Sequence, residues 1–449
     1  MARRRLLSTP IWRCASIIFL LGYAASPSMA EGNLDSTNAP STSTTLSLAD
    51  AIAMATAKSP AVYAAQQAWA EAEARVDQAR AQTRVTLSFN STASESNAAV
   101  ATPPPDHETF GSIVNSITMP VPLGRRPTLA VAQAEAQAAA AKAQFTAAER
   151  TQTLAVINAY FDLLKKQSQL VDAQLNLDQA QRQLDDASLR NKAGDVPELD
   201  VIRAQVPVAQ AEAGVVQAQN AIDIAGEALN AAIGRQISTP VIVTTPSTET
   251  GTQSLDDVER LAVEGSGDIA AARSTITAQQ VALESAKHWR DPALSLQASD
   301  TRGGDVTSFS HQDTIQASIT IPLTDGGLVH GQRDEATAAI NQAGAQLATS
   351  ILTVQASAAS AYHNAVTTRK LADSAKAALD IAQTAYEKTA HGYHSGLFPL
   401  TDLLNAQTSL AQTRSTYTQA LYDAGAAAAT LNEIIGVDNA GRTGTPIPR

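Results

Sequence analysis

The 449 residues contain a single cysteine, Cys14, so the chain beyond that point can form neither disulfides nor thiolate metal centres. Aromatic residues make up only 4%. A globular core takes its volume from large side chains, but the apolar residues here are mostly alanine. Alanine is the best helix former and lets helix backbones approach closely, which points to long, packed helices. No stretch after the first thirty residues approaches the eighteen or so consecutive apolar residues of a transmembrane helix, so any membrane crossing has to be made by strands. The formal net charge of −11 makes the chain a poor candidate for binding nucleic acid, which needs basic patches. Phosphate-cradling glycine loops and nucleophile motifs are missing too, and Asp185-Asp186 and Asp256-Asp257 read as solvated helix positions. The chain is therefore expected to be no enzyme and to need no cofactor.

Residues 1–30 read as a secretory signal peptide. Arg3, Arg4 and Arg5 open it, a short apolar run covers 17–23, and Ser28-Met29-Ala30 supplies a small-x-small cleavage site. Cys14 precedes the end of the apolar run, which argues against a lipid-modified cysteine. Four of the 32 basic residues and none of the 43 acidic ones lie in this leader, so its removal takes the net charge from −11 to −15.

The remainder is a duplication. Gly194, Pro197 and Asp200 recur as Gly396, Pro399 and Asp402, each 202 residues later. At the same offset Ala159-Tyr160 matches Ala361-Tyr362, Gly234 matches Gly436, and Ser116-Ile117-Thr118 matches Ser318-Ile319-Thr320. The start of each unit aligns at 207 instead, Leu48 on Leu255 and Leu87-Ser88 on Leu294-Ser295, which places a length change between the first two strands. The expected organisation is a flexible segment at 31–47, a first repeat at 48–235, a linker at 236–254 with a short strand at 241–243, a second repeat at 255–437, and a tail at 438–449.

Each repeat opens with a helix and continues in alternating segments. Val85, Leu87 and Phe89 begin one pair of strands, Leu294 and Leu296 the other. Polar loops are expected at 102–108 and 302–308, and the alternation Ile315, Ala317, Ile319, Ile321 has the period of two that marks a strand. Residues 128–193 then hold no proline or glycine, enough for a rod on the order of 100 Å, and a second rod runs from Leu328 to about Ala390. Val156, Leu163, Leu170, Leu177 and Leu184 recur at seven. Ala159, Ala173, Ala180 and Ala187 occupy the second seam position, with Lys166 the exception, as in a coiled coil. Gly194 and Pro197 break the first rod, and a helix returns from Glu198 to about Ile233, with Pro207 expected to kink it.

Four strands in a membrane must close into a barrel, yet the smallest barrels need about eight. Several protomers must share one, and three give an even total of twelve. A pore-free periplasmic coiled-coil scaffold would explain the rods but not the paired strands at equivalent places in both repeats.

This duplicated order of helix, two strands, long helix, turn and return helix resembles the TolC-like outer membrane factors, over residues 48–437. The most specific match lies in the two tip motifs, Lys-Ala-Gly-Asp-Val-Pro-Glu-Leu-Asp at 192–200 and His-Ser-Gly-Leu-Phe-Pro-Leu-Thr-Asp at 394–402. The resemblance implies an α+β membrane protein: a homotrimer whose four strands per protomer form a 12-stranded barrel in the outer-membrane lipid, continued by an α-helical coiled-coil tunnel through the periplasm. It implies a periplasmic adaptor and an inner-membrane transporter as partners, with small-molecule efflux as the function and type I protein secretion as the alternative. Asp402 falls on the first of two aspartates that ring the family's constriction. The second falls on Asn405, and Thr401 lies beside them. Tyr393 and Asp200 match a pair that holds the tip closed. An arginine–threonine link falls on Phe398 and Leu199 and is therefore lost. Gly194 and Gly396 match the tip glycines that adaptors approach. Asp200 and Asp402 could also serve as helix N-terminal residues, which carboxylates favour. His391 and His394 lie three apart but lack a third ligand, so no metal site is expected.

Overall fold

In a computed structural model of the protein, the described residues are 45–100, 106–246, 253–304 and 309–436. The expected leader, most of the 31–47 segment and the 438–449 tail lie outside them.

The two repeats are built from matching elements. The first has α1 (Leu48–Lys58), α2 (Pro60–Gln82), β2 (Ser88–Val100), β3 (Asp106–Val121), α3 (Arg126–Ala193) and α4 (Glu198–Ile233). The second has α5 (Leu255–Gly265), α6 (Gly267–Lys287), β5 (Ala293–Gly304), β6 (Phe309–Thr320), α7 (Leu328–His394) and α8 (Leu400–Ile434). Each opens with two helices where one was expected. Ser59, with ψ 127°, is held extended by the proline that follows it, and Ser266 adopts the same conformation before Gly267. Both first helices start with the same cap. Ser47 Oγ accepts the Asp50 amide at 3.2 Å and donates to its carboxylate at 2.6 Å, and Ser254 treats Asp257 alike at 3.3 and 2.7 Å.

The long helices reach further than the sequence limits suggested. α3 starts at Arg126 because a proline is tolerated in a first helical turn, and α7 runs four residues past Ala390 to His394. Pro207 lies inside α4, which remains one helix through it. The polar loops are shorter than expected, since 106–108 belong to β3 and 302–304 to β5.

Thr45–Leu46, placed by sequence in a flexible segment, form a strand β1 parallel to β4 (Ile242–Val243) in the linker. Two residues are too few to show alternation, and a tertiary contact decides the matter. Tyr160 of α3 is fully buried, and its hydroxyl lies 2.9 Å from the Leu46 carbonyl and 2.6 Å from that of Thr244 while accepting the Thr244 amide at 3.2 Å. Around it Leu46, Leu48, Ala51 and Ala55 pack on Val156, Ile157, Leu163, Leu229 and Ile233, the principal core. Each such leucine contributes about 1.5–3 kcal/mol by burial. The equivalent cluster of the second repeat uses Val258, Ala262, Ala358, Ala365, Ala427 and Leu431, so Ala358 and Ala365 stand where the first repeat has Val156 and Leu163.

The four long strands form one antiparallel sheet in the order β2-β3-β5-β6, with β3 on β5 joining the repeats. β2 and β6 are its edges. Among the helices, α3 packs on α4 and α8, and α8 on α7. These contacts give the order α4-α3-α8-α7, while α6 packs on both α3 and α7, α5 on α7 and α2 on α3.

Candidate functional site: a two-faced sheet and the helix tips

The register divides the sheet sharply. One face carries Ser88, Asn90, Thr92, Ser112, Ser116, Thr118, Ser295, Gln297, Ser299, Thr301 and, from β6, Ser310, Gln312, Thr314, Gln316, Ser318 and Thr320. Val114, Pro120 and Ala293 interrupt a face that is otherwise mainly hydroxyl and amide. The other aligns Phe89 with Ile117, Ala298 and Ile315 in one row, and Val121 with Leu294 and Ile319 in another. Its side chains are bare in the protomer: Ile315 is 91% exposed and Phe89 67%. Exposed apolar side chains on this scale fit contact with lipid, and the alternation apolar-out, polar-in is that of a membrane barrel wall. Further along this apolar face a polar row crosses the strands, Ser91–Asn115–Asp300–Asp313, with Arg302 on Asp300 at 3.1 Å.

At the far end of the long helices, the two tip motifs make similar turns. Gly194 ends α3 with φ +85°, and its amide and that of Asp195 bond back to Asn191 and Arg190. Gly396 sits at φ +76° just past α7. Both need the left-handed conformation, yet nothing among the described residues approaches the position a Cβ would take at either. Gly392 is different. A Cβ there would run into the Phe398 ring, which packs on the bare backbone. Thr401, Asp402 and Asn405 are exposed in the first turns of α8, and Asp402 makes no ion pair among the described residues.

The expected Tyr393–Asp200 hydrogen bond is not formed within the protomer. Tyr393 is 4% exposed and its hydroxyl has no hydrogen-bond partner among the described residues. Asp200 instead faces Arg203, 3.6 Å away, because one helical turn brings that guanidinium closer. Burial raises the Tyr393 pKa, and the carboxylates of Asp186 and Asp200 raise it further against the opposing charge of Arg190. What ties the tip is Arg190, which sequence reasoning missed. From α3 it lies over the Tyr393 ring at 4.8 Å and donates to the carbonyls of Tyr393 and His394, each at 3.3 Å. It also contacts His394 Nδ1 at 3.0 Å and pairs with Asp186 at 3.2 Å. A guanidinium thus sits beside His394, while His391 is exposed on the other side of Gly392. The only sequence signal was an arginine four residues before the tip glycine.

Between the repeats runs a polar seam, also unforeseen. Lys165 meets Asp423 at 3.2 Å, Ser168 donates to the Tyr422 hydroxyl at 2.7 Å, and Thr418 donates to Asp172 at 2.6 Å. Burial raises the Asp172 pKa, opposed by the Thr418 hydrogen bond and by Arg414.

The sequence pattern of the outer membrane efflux protein family matches residues 51–235 and 259–437. The cobalt-zinc-cadmium resistance protein CzcC of Cupriavidus metallidurans is 25% identical over 312 residues, which are 65% of this chain and 73% of that protein. The fold is similar to that of the outer membrane protein VceC of Vibrio cholerae, with TM-score 0.72 and 22% identity over 87% of this chain and 96% of that one. It is likewise similar to the CmeC outer membrane channel of Campylobacter jejuni, with TM-score 0.72 and 15% identity over 87% and 85% of the two chains. A duplicated fold with a two-faced sheet, family blocks in both repeats and channel structures as its likenesses lead to one conclusion: the chain belongs to the outer membrane efflux protein family, a family of channels, and serves as an efflux duct of the Gram-negative outer membrane.

Proposed function

We propose that three copies close head-to-tail into one duct: twelve strands in the outer membrane, a helical tunnel in the periplasm, and a gate at the tips. The observation that carries this reading is that the protomer ends in matching open flanks. β2 and β6 are unpaired edges of a sheet too small to close on itself, and an open edge in lipid leaves backbone groups unsatisfied. The end helices of the order α4-α3-α8-α7 each carry a bare stripe. On α4 Leu199, Ile202, Val206, Ala209, Ala213 and Val216 form an exposed stripe at alternating steps of three and four. On α7 Leu371, Ala378, Ile381 and Ala385 do likewise. Such stripes are the seams of coiled coils, so α7 of one copy fits α4 of the next while β6 meets β2, a heterologous contact that closes into a ring.

In this assembly the polar sheet face lines the pore. Thr401, Asp402 and Asn405 form the constriction, with one carboxylate ring that repels itself and attracts cations. Arg190 replaces the missing arginine–threonine link in holding the tips, with Tyr393 as its platform and Asp200 nearby. Gly194 and Gly396, with open space above them, are where a periplasmic adaptor would dock, beneath which an inner-membrane transporter supplies the energy. The metal-resistance role of the relative CzcC makes divalent metal cations the first cargo to test, alongside drugs. The test is the mass of the detergent-extracted protein by light scattering, together with conductance in planar bilayers. A trimer with cation-selective conductance, its selectivity reduced in Asp402→Asn, is expected. A water-soluble monomer without conductance overturns the reading.

A further inference from the structure

We infer that the cavity where β3 and β5 give way to the helices binds the headgroup of an anionic phospholipid of the periplasmic leaflet. The inference rests on the sheet's apolar face lying against lipid.

The cavity, of about 500 Å³, is lined by Val121, Leu123 and Leu294 together with Arg84 and Arg126. Val121 and Leu294 are direct register partners on the apolar face, so the cavity meets that face at its helix-proximal end, where Pro120 and Ala293 of the other face also line it. Its lining comes from the helix-proximal ends of the two central strands and from the segment that leads into β2. Asp291 also lines it, but its carboxylate is already held by the amides of Arg125 and Arg126 at 2.6 and 3.1 Å. Burial would raise its pKa, yet these bonds and His288 outweigh that and keep it lowered. The Arg84 and Arg126 guanidiniums are exposed and make no ion pair among the described residues.

The distribution of cations points the same way. Within the four long strands the only lysine or arginine is Arg302, which is paired with Asp300. At the strand–helix boundary there are five: Arg84, Arg125, Arg126, Lys287 and Arg290. Arg290 lies over the ring of Trp289 at 4.8 Å. Arginines beside a tryptophan at the end of an apolar band are the side chains that settle among lipid headgroups. Two free guanidiniums bind a phosphodiester by charge-assisted hydrogen bonds, and acyl chains would continue along Val121, Leu294 and the exposed Leu87.

Trp289 provides the reporter. Beyond the leader the only other tryptophan is Trp69, stacked on Phe145, and Trp69→Phe removes it while keeping an aromatic there. The full chain carrying Trp12→Phe and Trp69→Phe is reconstituted in vesicles containing either brominated phosphatidylglycerol or brominated phosphatidylcholine, and quenching of Trp289 is titrated. The expected result is a preference for phosphatidylglycerol of roughly fivefold per arginine, abolished by Arg84→Gln with Arg126→Gln. Equal quenching by the two lipids, or a preference that survives the double substitution, overturns the inference while leaving the membrane reading intact. A double variant with altered ion selectivity and unaltered lipid preference also overturns it, since the cavity would then face the duct. Quenching by neither lipid would mean that the sheet does not lie in the bilayer, and both readings would fall.

Discussion

Arg190→Ala tests the gate at its most concentrated point. One guanidinium from α3 spans to the end of α7, donating to the Tyr393 and His394 carbonyls at 3.3 Å, contacting His394 Nδ1 at 3.0 Å and covering the Tyr393 ring at 4.8 Å. A hydrogen bond from a charged donor contributes about 1.5–3 kcal/mol, and a cation–π contact about 0.5–2 kcal/mol. These contacts share one side chain, two of the bonds are long and the site is partly hydrated, so they do not add. We take about 2–3 kcal/mol for the set. If opening the tip breaks all of them, the closed-to-open ratio falls roughly 30- to 150-fold in the variant, at about 1.4 kcal/mol per tenfold. The assay is single-channel recording in planar bilayers, comparing open probability in Arg190→Ala, Arg190→Lys and the parent. Lysine keeps the charge near Asp186 but loses the planar fork and the stacking, so it should lie between the other two. An open probability in Arg190→Ala within about threefold of the parent, far below the shift of about 2–3 kcal/mol, would refute the clamp.

Three other outcomes are expected. Tyr393→Phe, which deletes an unpartnered hydroxyl and leaves the stacking surface, should change open probability by less than about threefold, because an unmade bond contributes nothing; a large increase in bilayer recordings would show that Asp200 is its partner in the assembled duct. Tyr160→Phe should destabilise the protomer by about 1–3 kcal/mol by stranding the groups of Leu46 and Thr244 around its hydroxyl, seen as faster hydrogen exchange at 45–46 and 242–244. The raised pKa of Asp172 means that the folded state holds this proton more tightly than the unfolded chain does. Its stabilising contribution is present below the unfolded carboxylate pKa and is lost as pH rises through the folded value. Protection in α3 around 172, taken as exchange relative to the unstructured-chain rate at each pH, should therefore rise on acidification, and Asp172→Asn should flatten that dependence.

Much of the fold was legible in the chain because it rests on local, periodic signals. The 202-residue repeat, the glycine–proline breaks at the tips and the heptads of α3 are properties of neighbouring residues, and the structure places elements where they indicate. Strand alternation also marked an apolar side at Ile315 and Ile319, which the register extends across four strands from Ile315 and three from Ile319; Ile321 lies just past the end of β6. Contacts made across long separations were not legible. Tyr160 meets Leu46 and Thr244, Arg190 meets residues more than two hundred positions away, and Asp172 meets Thr418; no local pattern encodes any of these pairs.

The Tyr393–Asp200 pair shows the same limit from the other side. Matching residue types suggested a bond, but the side chains are placed by which helical face each occupies and by which cation is nearer. Arg203 is one turn from Asp200, and Arg190 already covers the tyrosine. By itself the sequence determined that the chain is a duplicated, helix-rich unit with alternating strands, because composition and periodicity constrain every copy of a local element. Only the tertiary structure decided which face of the sheet is apolar from edge to edge, which helices keep a bare stripe, and which arginine ties the tips. Those outcomes depend on register and on packing order, which are set by distant parts of the chain.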